Sequence, residues 1–568
     1  MSRLTLEDML EPNLPVGDSD PMRPLRALLA QTTRRLHAAL GQHVRSAILD
    51  RRFWESVLPT PAPVQTILEL LLRTATRSTK LRRIELPGMH RVRLVPLANG
   101  GWPTAASQTA LRGTEPQLAA ALSRSTALTA LSLHDNYIGP DGMLEVGLAL
   151  RPCSRLHTLD LGRTLLGDSS AHSIAGVLRN NPALTFLDLS YNEDVRAEPS
   201  LDGRFHRAYE HLHVYGASVV AGALMLCTAL THLDLSNHAC DGLVEPVADA
   251  LASMPALRSL VLASTRIDEH GMLYLSDELE HATALTHLDL SRNQMHDEGA
   301  KYLATGLAWC TTLVSLHVEE NDIEAEGFRV LVEALSRQST LQRLNLSCSS
   351  MDDDGSEAMM ELLASRCVDL QELTLRDLQV PLADTVWWQL KHCRSLTSLN
   401  LSNAQLDERA LRHVAHSQIN RILTWRAHYA ATGEVPAVLR TLDISRMRWN
   451  ESTVWIVRMC WGLVSLDLSH ASIDPTRCAR LRGSLDHCTN LRDLVLHHNT
   501  IDAAAASALL ETLEGLTTAR TTVDLAENEL TPTERDELFA GNATRRYAEY
   551  CERAQVYTFA ETRRPGFH

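Results

Sequence analysis

The chain has 568 residues, of which 45% are hydrophobic and 22% are charged, and this balance excludes an intrinsically disordered chain. Its 54 Lys and Arg residues and 69 Asp and Glu residues give a net charge of 54 − 69 = −15. A protein this acidic is a poor general binder of phosphate, so the composition argues against nucleic acid as the main partner. The length allows about four domains of ~150 residues or one long repeat array.

Residues 1–80 are predicted to form an N-terminal tail and a helical cap. The tail is acidic, unlike a signal peptide, which starts with cationic residues, or a mitochondrial transit peptide, which is poor in acids. Helices are predicted on both sides of the Pro59–Pro63 stretch, and the arginine-rich first helix is either a solvated face or a docking face for an acidic partner. No apolar run reaches the length of a membrane helix, so we expect a cytoplasmic protein.

A repeated Leu-x-x-Leu-x-Leu string, or a close variant of it, recurs over most of the chain, and 28 residues is the commonest spacing between copies. Fifteen copies are recognisable, the last of them degenerate. They begin at Leu81, Leu128, Leu156, Leu184, Leu230, Leu257, Leu285, Leu313, Leu341, Leu370, Leu396, Leu439, Leu463, Leu491 and Val523.

One repeat shows what each copy is expected to form. Leu288 and Leu290 alternate with a polar residue, which predicts a short strand with one buried face. Asn293 follows at the turn, where its side chain can bond backbone groups that would otherwise have no partner. Gly299 and Leu303 then continue at helical spacing, and the glycine is expected to let the helix approach the strand closely. No repeat can bury its leucines alone, so the repeats must stack.

These features resemble the ribonuclease-inhibitor class of leucine-rich repeat protein over residues 81–530. The resemblance implies an α/β fold: a right-handed solenoid bent into a horseshoe, with an inner parallel sheet, outer helices and a helical N-terminal cap. Residues 531–568 are expected to form a C-terminal cap, with a pair of helices in 532–553, and a tail.

Seven of the 11 cysteines share one position, three residues before the first leucine of a repeat, and Asn181 takes that position in another repeat. They are Cys153, Cys227, Cys310, Cys367, Cys393, Cys460 and Cys488. We expect small buried thiols at the end of each helix. A disulfide ladder or a metal staircase is the alternative. We expect no disulfides, because outer-edge positions of a curved solenoid lie further apart than its strands and the expected compartment is reducing.

The strand residue between the last two leucines is predicted to face the hollow of the horseshoe, and in seven copies it is aspartate. Asp160, Asp188, Asp234 and Asp289 are therefore candidate contacts for a protein partner, and an exposed acidic stripe would attract a basic surface. The alternative is that Leu-Asp-Leu-Ser is simply a common strand sequence in the family, so that the aspartates have no binding role.

Histidines form a second candidate site. His470 and His498 occupy the same register of adjacent strands, with His497 beside them. Three imidazoles within reach could bind a metal, but no carboxylate or thiol completes the set at that register. We therefore expect solvated rim histidines, with His470 and His498 as candidate partner contacts and no metal.

Three insertions interrupt the repeat spacing. Those at 88–116 and 193–215 lie between a strand and its helix and are expected on one rim, whereas the one at 417–436 follows a helix and is expected on the opposite rim. The second carries Phe205, Tyr209 and Tyr215, which are candidate anchors for a partner.

The chain contains no GxxxxGK[ST], GxGxxG, HExxH or GxSxG motif. We therefore expect a non-catalytic protein–protein interaction scaffold that needs no cofactor and belongs to a multi-protein complex.

The resemblance covers cytosolic inhibitors, innate-sensor arrays and subunits of ciliary and flagellar complexes, so a cytoskeletal or flagellar location is the narrower expectation. The alternative is a GTPase-activating protein resembling the Ran activators, but those have a strongly acidic C-terminal tail, whereas the last part of this chain carries Arg545, Arg546, Arg563 and Arg564. An effector delivered into another cell is a third class that the sequence leaves open.

Overall fold

The computed structural model describes residues 127–192, 214–238, 242–378, 384–432 and 438–531, with gaps at 135, 137, 351, 366, 405, 407, 448 and 517–520, and it adds the backbone of short strands elsewhere. The chain divides into two compact units, an N-terminal unit, Met1–Gln294, and a C-terminal unit, Met295–His568. The predicted first insertion, residues 88–116, lies outside the described residues.

The N-terminal unit contains a parallel sheet whose strands pair in chain order, interrupted by one hairpin. The sheet strands are β1 (Ser46–Ile48), β2 (Arg83–Glu85), β3 (Ala130–Ser132), β4 (Thr158–Asp160), β5 (Phe186–Asp188), β8 (His232–Asp234), β9 (Ser259–Val261) and β10 (His287–Asp289). The hairpin strands, β6 (Asp194–Pro199) and β7 (Phe205–Glu210), pair antiparallel. The helices are α1 (Gly139–Ala149), α2 (Ala171–Asn180), α3 (Val214–Leu224), α4 (Val244–Leu251) and α5 (Glu269–Glu278).

The C-terminal unit repeats the same order of strand and helix. Its strands, β11 (Ser315–His317), β12 (Arg343–Asn345), β13 (Glu372–Thr374), β14 (Ser398–Asn400), β15 (Thr441–Asp443), β16 (Ser465–Asp467), β17 (Asp493–Val495), β18 (Thr521–Asp524) and β19 (Arg545–Tyr547), are parallel and pair in chain order. Its helices are α6 (His296–Gly306), α7 (Ala325–Leu335), α8 (Asp353–Ser365), α9 (Asp384–Gln389), α10 (Glu408–Thr432), α11 (Glu451–Met459), α12 (Pro475–Ser484) and α13 (Ala503–Leu516).

All fifteen predicted repeat copies contain a strand in the expected place. The middle residues of paired strands stand opposite one another, as with Leu159, Leu187 and Leu233, and all three are buried. Because each leucine packs in register with its neighbours, the strands and the apolar faces of the helices share one continuous core within each unit. The expected α/β solenoid is confirmed for both units.

The two ends of the array differ from the prediction. Ser46–Ile48 lies inside the predicted N-terminal helix but forms β1, which pairs with β2. Arg545–Tyr547 lies inside the predicted C-terminal helix pair but forms β19, which pairs with β18. Helical periodicity was misleading here because an edge strand presents unpaired N–H and C=O groups, which a further extended segment can satisfy.

The third insertion was also assigned incorrectly. Residues 417–436 were expected to leave the solenoid after a helix, but α10 continues as one helix through Thr432. Part of the extra sequence therefore lengthens a helix of the array.

The asparagine at the strand exit has the predicted role. The Asn293 side chain donates from Nδ2 to the carbonyls of Leu262 (2.9 Å) and Leu290 (2.8 Å), and its Oδ1 accepts from the amides of Thr265 (2.9 Å) and Ile267 (3.0 Å). One buried side chain thus satisfies four backbone groups and joins two repeats. Asn192 and Asn499 make corresponding bonds in their own repeats.

The seven predicted cysteine positions are all buried. Burial raises the pKa of the Cys153 and Cys488 thiols to about 11, so both remain protonated at neutral pH. The Cys153 thiol donates to the carbonyl of Leu122 at 3.6 Å. Asn181 occupies the same position, where its Nδ2 donates to the carbonyl of Val177 at 2.9 Å and its Oδ1 accepts from the amide of Leu156 at 3.0 Å.

The recurring helix glycine has a different role from the one expected. A Cβ at Gly327, in α7, would lie 2.7 Å from the Cα of Asp297, in α6. A Cβ at Gly271, in α5, would lie 2.8 Å from Cγ1 of Val244, in α4. The glycine therefore permits close approach between neighbouring helices, not between a helix and its strand.

Within the described part of the chain, no helix is both long and apolar enough to cross a bilayer.

We predict that Asn293→Ala lowers the free energy of unfolding by about 2–5 kcal/mol, because it leaves four buried backbone groups without their partner. Urea unfolding would measure the loss, and hydrogen exchange should show faster opening at Thr265 and Ile267. Asp277→Ala, an exposed change on α5, is the control and should cost only a few tenths of a kcal/mol. Equal effects of the two substitutions would contradict the bridging role.

Candidate functional site

The sheet face that points away from the buried leucines carries two side chains from each strand, one before and one after the central leucine. We call this the open face. In β4 the two residues are Thr158, which is partly exposed, and Asp160, which is fully buried. Only the second position was predicted to face the hollow, although the period of two along a strand places both side chains on this face.

The strand aspartates on the open face hold the strand exit in place. The Oδ1 atom of Asp188 accepts from the amide (2.9 Å) and the hydroxyl (2.6 Å) of Ser190. Asp234 and Asp289 accept from the amides two residues further on, each at 2.9 Å. Asn345 and Asn400 make the same bond at their own strand ends. The residue therefore caps an otherwise unpaired backbone amide.

Two of the four candidate aspartates are not exposed as expected. Asp160 is 0% and Asp188 is 6% exposed, whereas Asp234 and Asp289 are partly exposed. The expectation of an exposed acidic stripe is therefore wrong at Asp160 and Asp188. The physical reason is that the side chains of adjacent strands stand so close that they exclude water from one another.

Crowding also reduces the negative charge of the open face. Burial, and next the neighbouring Asp160, raises the pKa of Asp188. Burial, and next Asp188, raises the pKa of Asp234 to about 8. Burial and Asp443 raise the pKa of Asp467 to about 7. The acidic stripe therefore carries less charge at pH 7 than its count of carboxyl groups implies.

The side chain of His134 lies beside the first two aspartates of the open face, Asp160 and Asp188. Its Nδ1 lies 3.1 Å from Oδ1 of Asp160 and 3.9 Å from Oδ2 of Asp188, and Asp160 also accepts from the Ser132 hydroxyl at 2.8 Å. A Cβ at Gly162 would lie 2.5 Å from Nδ1 of His134 and 2.9 Å from Oδ1 of Asp188. This cluster of an imidazole and two carboxyl groups is tightly packed, and it fits only because Gly162 has no side chain.

Aromatic side chains occupy the more exposed of the two open-face positions, the one before the central leucine, on β5 and β8. Phe186 and His232 are opposite each other on β5 and β8, and their rings stack with centroids 5.8 Å apart. Both are partly exposed. The guanidinium of Arg163 lies over the ring of Tyr191, 4.2 Å from its centroid, at the strand exits after β4 and β5. Sequence analysis missed these residues, although the alternation along the strand could have indicated Phe186.

The hairpin of β6 and β7 occupies the second insertion, between β5 and α3, as predicted. Phe205 and Tyr209 lie on β7, which is described by its backbone, so their side chains lie outside the described residues. Tyr215 lies in the first turn of α3, is 62% exposed, and contacts the ring of His172 with a centroid distance of 5.9 Å. Tyr215 thus remains available as a partner contact.

The three histidines come together, but they are not all solvated rim residues. The rings of His470 and His498 stack with centroids 4.3 Å apart, and His497 meets them edge-on at 5.2 and 5.1 Å. His470 is exposed, whereas His497 is only 4% exposed. Burial, and next the two neighbouring imidazoles, lowers the pKa of His497 to about 4, so it is neutral at pH 7.

Comparison with known proteins supports the repeat assignment. A family model described as Leucine Rich repeat matches residues 281–304, 310–332, 337–360 and 487–510. The chain therefore contains leucine-rich repeats. An internalin from Listeria monocytogenes is similar to this chain, with 14% sequence identity, 87% of this chain and 99% of that chain covered, and a TM-score of 0.31. A likeness at that score carries no argument about fold or function.

We predict that Asp234→Asn increases stability at pH 8 relative to the unaltered chain. Folding raises the pKa of this carboxyl from about 4 to about 8, so its contribution to stability is lost as the pH rises through that interval. An amide can still accept from Ser236, as Asn345 does from Ser347. The gain at pH 8 should be about 1–3 kcal/mol after allowance for partial solvent exposure. It should diminish towards pH 4.

Urea midpoints of both proteins at pH 5 and pH 8 would measure this difference, with Asp277→Asn as an exposed control. An Asp234→Asn effect that is equal at both pH values would contradict the prediction.

We also predict that two glycine substitutions in the N-terminal unit change the free energy of unfolding in opposite directions. Gly162→Ala should destabilise the fold by about 1–3 kcal/mol, because the new methyl group would overlap His134 and Asp188. Gly176→Ala, in α2, meets nothing within 4 Å and should stabilise by about 0.5–1 kcal/mol through helix propensity. Thermal unfolding of the two variants gives the comparison, and a neutral Gly162→Ala would show that the cluster is loosely packed.

Proposed function

We propose that this protein is a non-catalytic interaction scaffold, which holds a protein partner against the open face of the N-terminal unit and the rim beside it, as a subunit of a larger intracellular assembly. Leucine-rich repeats generally mediate protein–protein interaction, and arrays of this kind provide extended binding surfaces. The finer assignment to a cytoskeletal or flagellar assembly rests on the sequence resemblance alone.

The observation that carries this proposal is the occurrence of aromatic rings in neighbouring repeats, on the open face, at the strand exits and at the start of the following helix. Phe186 and His232 stack on the open face, and Tyr191 lies under Arg163 at the strand exits. Tyr215 is exposed at the start of the following helix. Tyrosine and arginine are enriched among the residues that dominate binding energy at protein interfaces, and rigid rings lose little conformational entropy on binding.

The carboxylates support a non-catalytic role. A general acid or base must be able to reach a substrate proton. Asp160 and Asp188 are buried and bonded to Ser132, His134 and Ser190, so the raised pKa of Asp188 and these side-chain contacts have a structural explanation. The lowered charge of the face also makes aromatic contact, and not attraction of a basic partner, the main source of affinity in this proposal.

The test begins with affinity purification of the tagged full chain under crosslinking, followed by measurement of binding to the purified partner. We predict that Phe186→Ala and Tyr215→Ala each weaken binding by about 1–3 kcal/mol, mainly through faster dissociation. Tyr274→Ala is the matched control, because Tyr274 is 48% exposed on α5, away from the open face. Thermal unfolding of each variant separates lost contact from lost structure.

The proposal fails if Phe186→Ala and Tyr215→Ala bind as tightly as the unaltered chain. Loss of binding in Tyr274→Ala alone would place the interface on the helices. Phe205 and Tyr209, on the hairpin, remain predicted contacts, and crosslinks from β7 to the partner would test them.

A further inference from the structure

The three-histidine cluster of the C-terminal unit has a geometry that its role in the fold does not require. His470, His497 and His498 each present a ring nitrogen, and these three atoms all lie within 4.8 Å of one another. Their rings meet in one stacked pair and two edge-on pairs, with all three centroid distances between 4.3 and 5.2 Å. Two protonated imidazoles this close would repel each other, so the arrangement favours neutral rings or a shared cation.

The repeat backbone fixes this arrangement. His470 and His498 occupy equivalent positions, three residues after β16 and β17, and both have left-handed backbone conformations with φ of 53° and 52°. The amide of His470 donates to the carbonyl of His497 at 3.1 Å, and the amide of His498 donates to the carbonyl of Ala526 at 3.0 Å. Asn499 then joins the two turns through the carbonyls of Leu468 and Leu496. The ring positions are therefore preorganised.

His497 stands at the position that is serine in seven repeats. In the preceding repeat Asp467 accepts from the amide of Ser469 at 2.8 Å, which is the usual strand-exit bond. In this repeat the corresponding residues are Val495 and His497, so the carboxylate and the serine are replaced together. The imidazole is buried and is not needed to cap an aspartate of its own strand.

Asp524 supplies a second, independent indication of a cation. It is 2% exposed, and its Oδ1 accepts from the amide of Ala526 at 2.9 Å. Its Oδ2 is buried and has no hydrogen-bond partner among the described residues. Asp524 is paired in register with Val495, and the amide of His498 donates to the carbonyl of Ala526, so the carboxyl lies on the strand next to the cluster. Carboxylates beside metal-binding imidazoles commonly orient the ring and increase its basicity.

We propose that His470, His497 and His498 bind one divalent transition-metal ion, with Zn²⁺ as the best-suited probe. Imidazole nitrogen is a preferred ligand of Zn²⁺, Cu²⁺ and Ni²⁺. Zn–N bonds of about 2.0–2.1 Å in a tetrahedral site place ligand atoms roughly 3.4 Å apart, so small side-chain rotations close the observed cluster. Water completes the coordination on the side where His470 is exposed, and Asp524 contributes charge from the buried side.

Charged groups on the neighbouring repeats favour a site near β17 and β18. Glu527 occupies the position equivalent to His498 in the next repeat, and Arg446 occupies the position equivalent to His470 in the preceding one. Arg446 is the cation nearest in register, and it is exposed to solvent, which screens its repulsion of a bound ion. Asp524 and Glu527 supply the opposing negative charge.

The test uses the full chain, stripped with EDTA and dialysed into metal-free buffer, and then titrated with Zn²⁺ by calorimetry. His470→Asn and His498→Asn are the test variants, because Asn237 and Asn403 already occupy this left-handed position in other repeats and the backbone should be preserved. His487→Asn is the control, because His487 is an exposed histidine of the same unit. The chain has 25 histidines, so only binding that the test variants remove counts as this site.

We expect the unaltered chain and His487→Asn to bind one equivalent of Zn²⁺ that the two test variants bind at least 10–100-fold more weakly. Titration with Co²⁺ should show the visible absorption of a tetrahedral site in the first two proteins and lose it in the others. The proposal is wrong if His470→Asn and His498→Asn, folded as judged by circular dichroism, titrate like the unaltered chain. Binding that His487→Asn reduces equally would identify adventitious surface binding and also overturn it.

Discussion

The structure depends on how the chain leaves each strand. After three residues of strand the backbone turns sharply out of the sheet, and its amides and carbonyls point into a leucine-lined layer where water cannot reach them. The bonds of Asn192, Asn293 and Asn499 satisfy these groups across two repeats at once. Where the asparagine is absent, as at His238, the imidazole Nε2 contacts the Leu189 carbonyl at 2.8 Å and serves the same purpose.

The same turn requires a left-handed residue, which is uncommon for side chains other than glycine. Arg163, Tyr191 and Asn237 have φ between 55° and 59°, and each donates its amide to a carbonyl of the next repeat at 2.7–2.9 Å. These bonds hold a conformation that would cost free energy in isolation. They also point equivalent side chains from adjacent repeats toward one another. Both the Arg163–Tyr191 pair and the His470–His498 pair arise in this way.

The strand carboxylates show how stacking changes the chemistry of a residue. Aspartate at a strand end appears in the sequence as an exposed negative charge, yet Asp160 and Asp188 are buried by the strands on either side. Repetition places each carboxyl beside another, so burial and mutual repulsion together raise the pKa of Asp234 to about 8. The same residue type therefore acts mainly as a hydrogen-bond acceptor for the backbone.

The sequence by itself determined the repeat, the strand positions, the buried cysteine layer and the bridging asparagines, because each follows from local periodicity and from the need of a buried polar group for a partner. It could not determine the ends of the array, where β1 and β19 form on an existing sheet edge although their own patterns favour helix. Nor could it show which open-face residues are exposed.

Only tertiary structure decided the candidate sites. Phe186 meets His232 across 46 residues of sequence, and Asp524 approaches the histidines from a different strand. Exposure, pKa and cluster geometry depend on the distances between repeats, and those distances are set by packing and not by the residues of any one repeat.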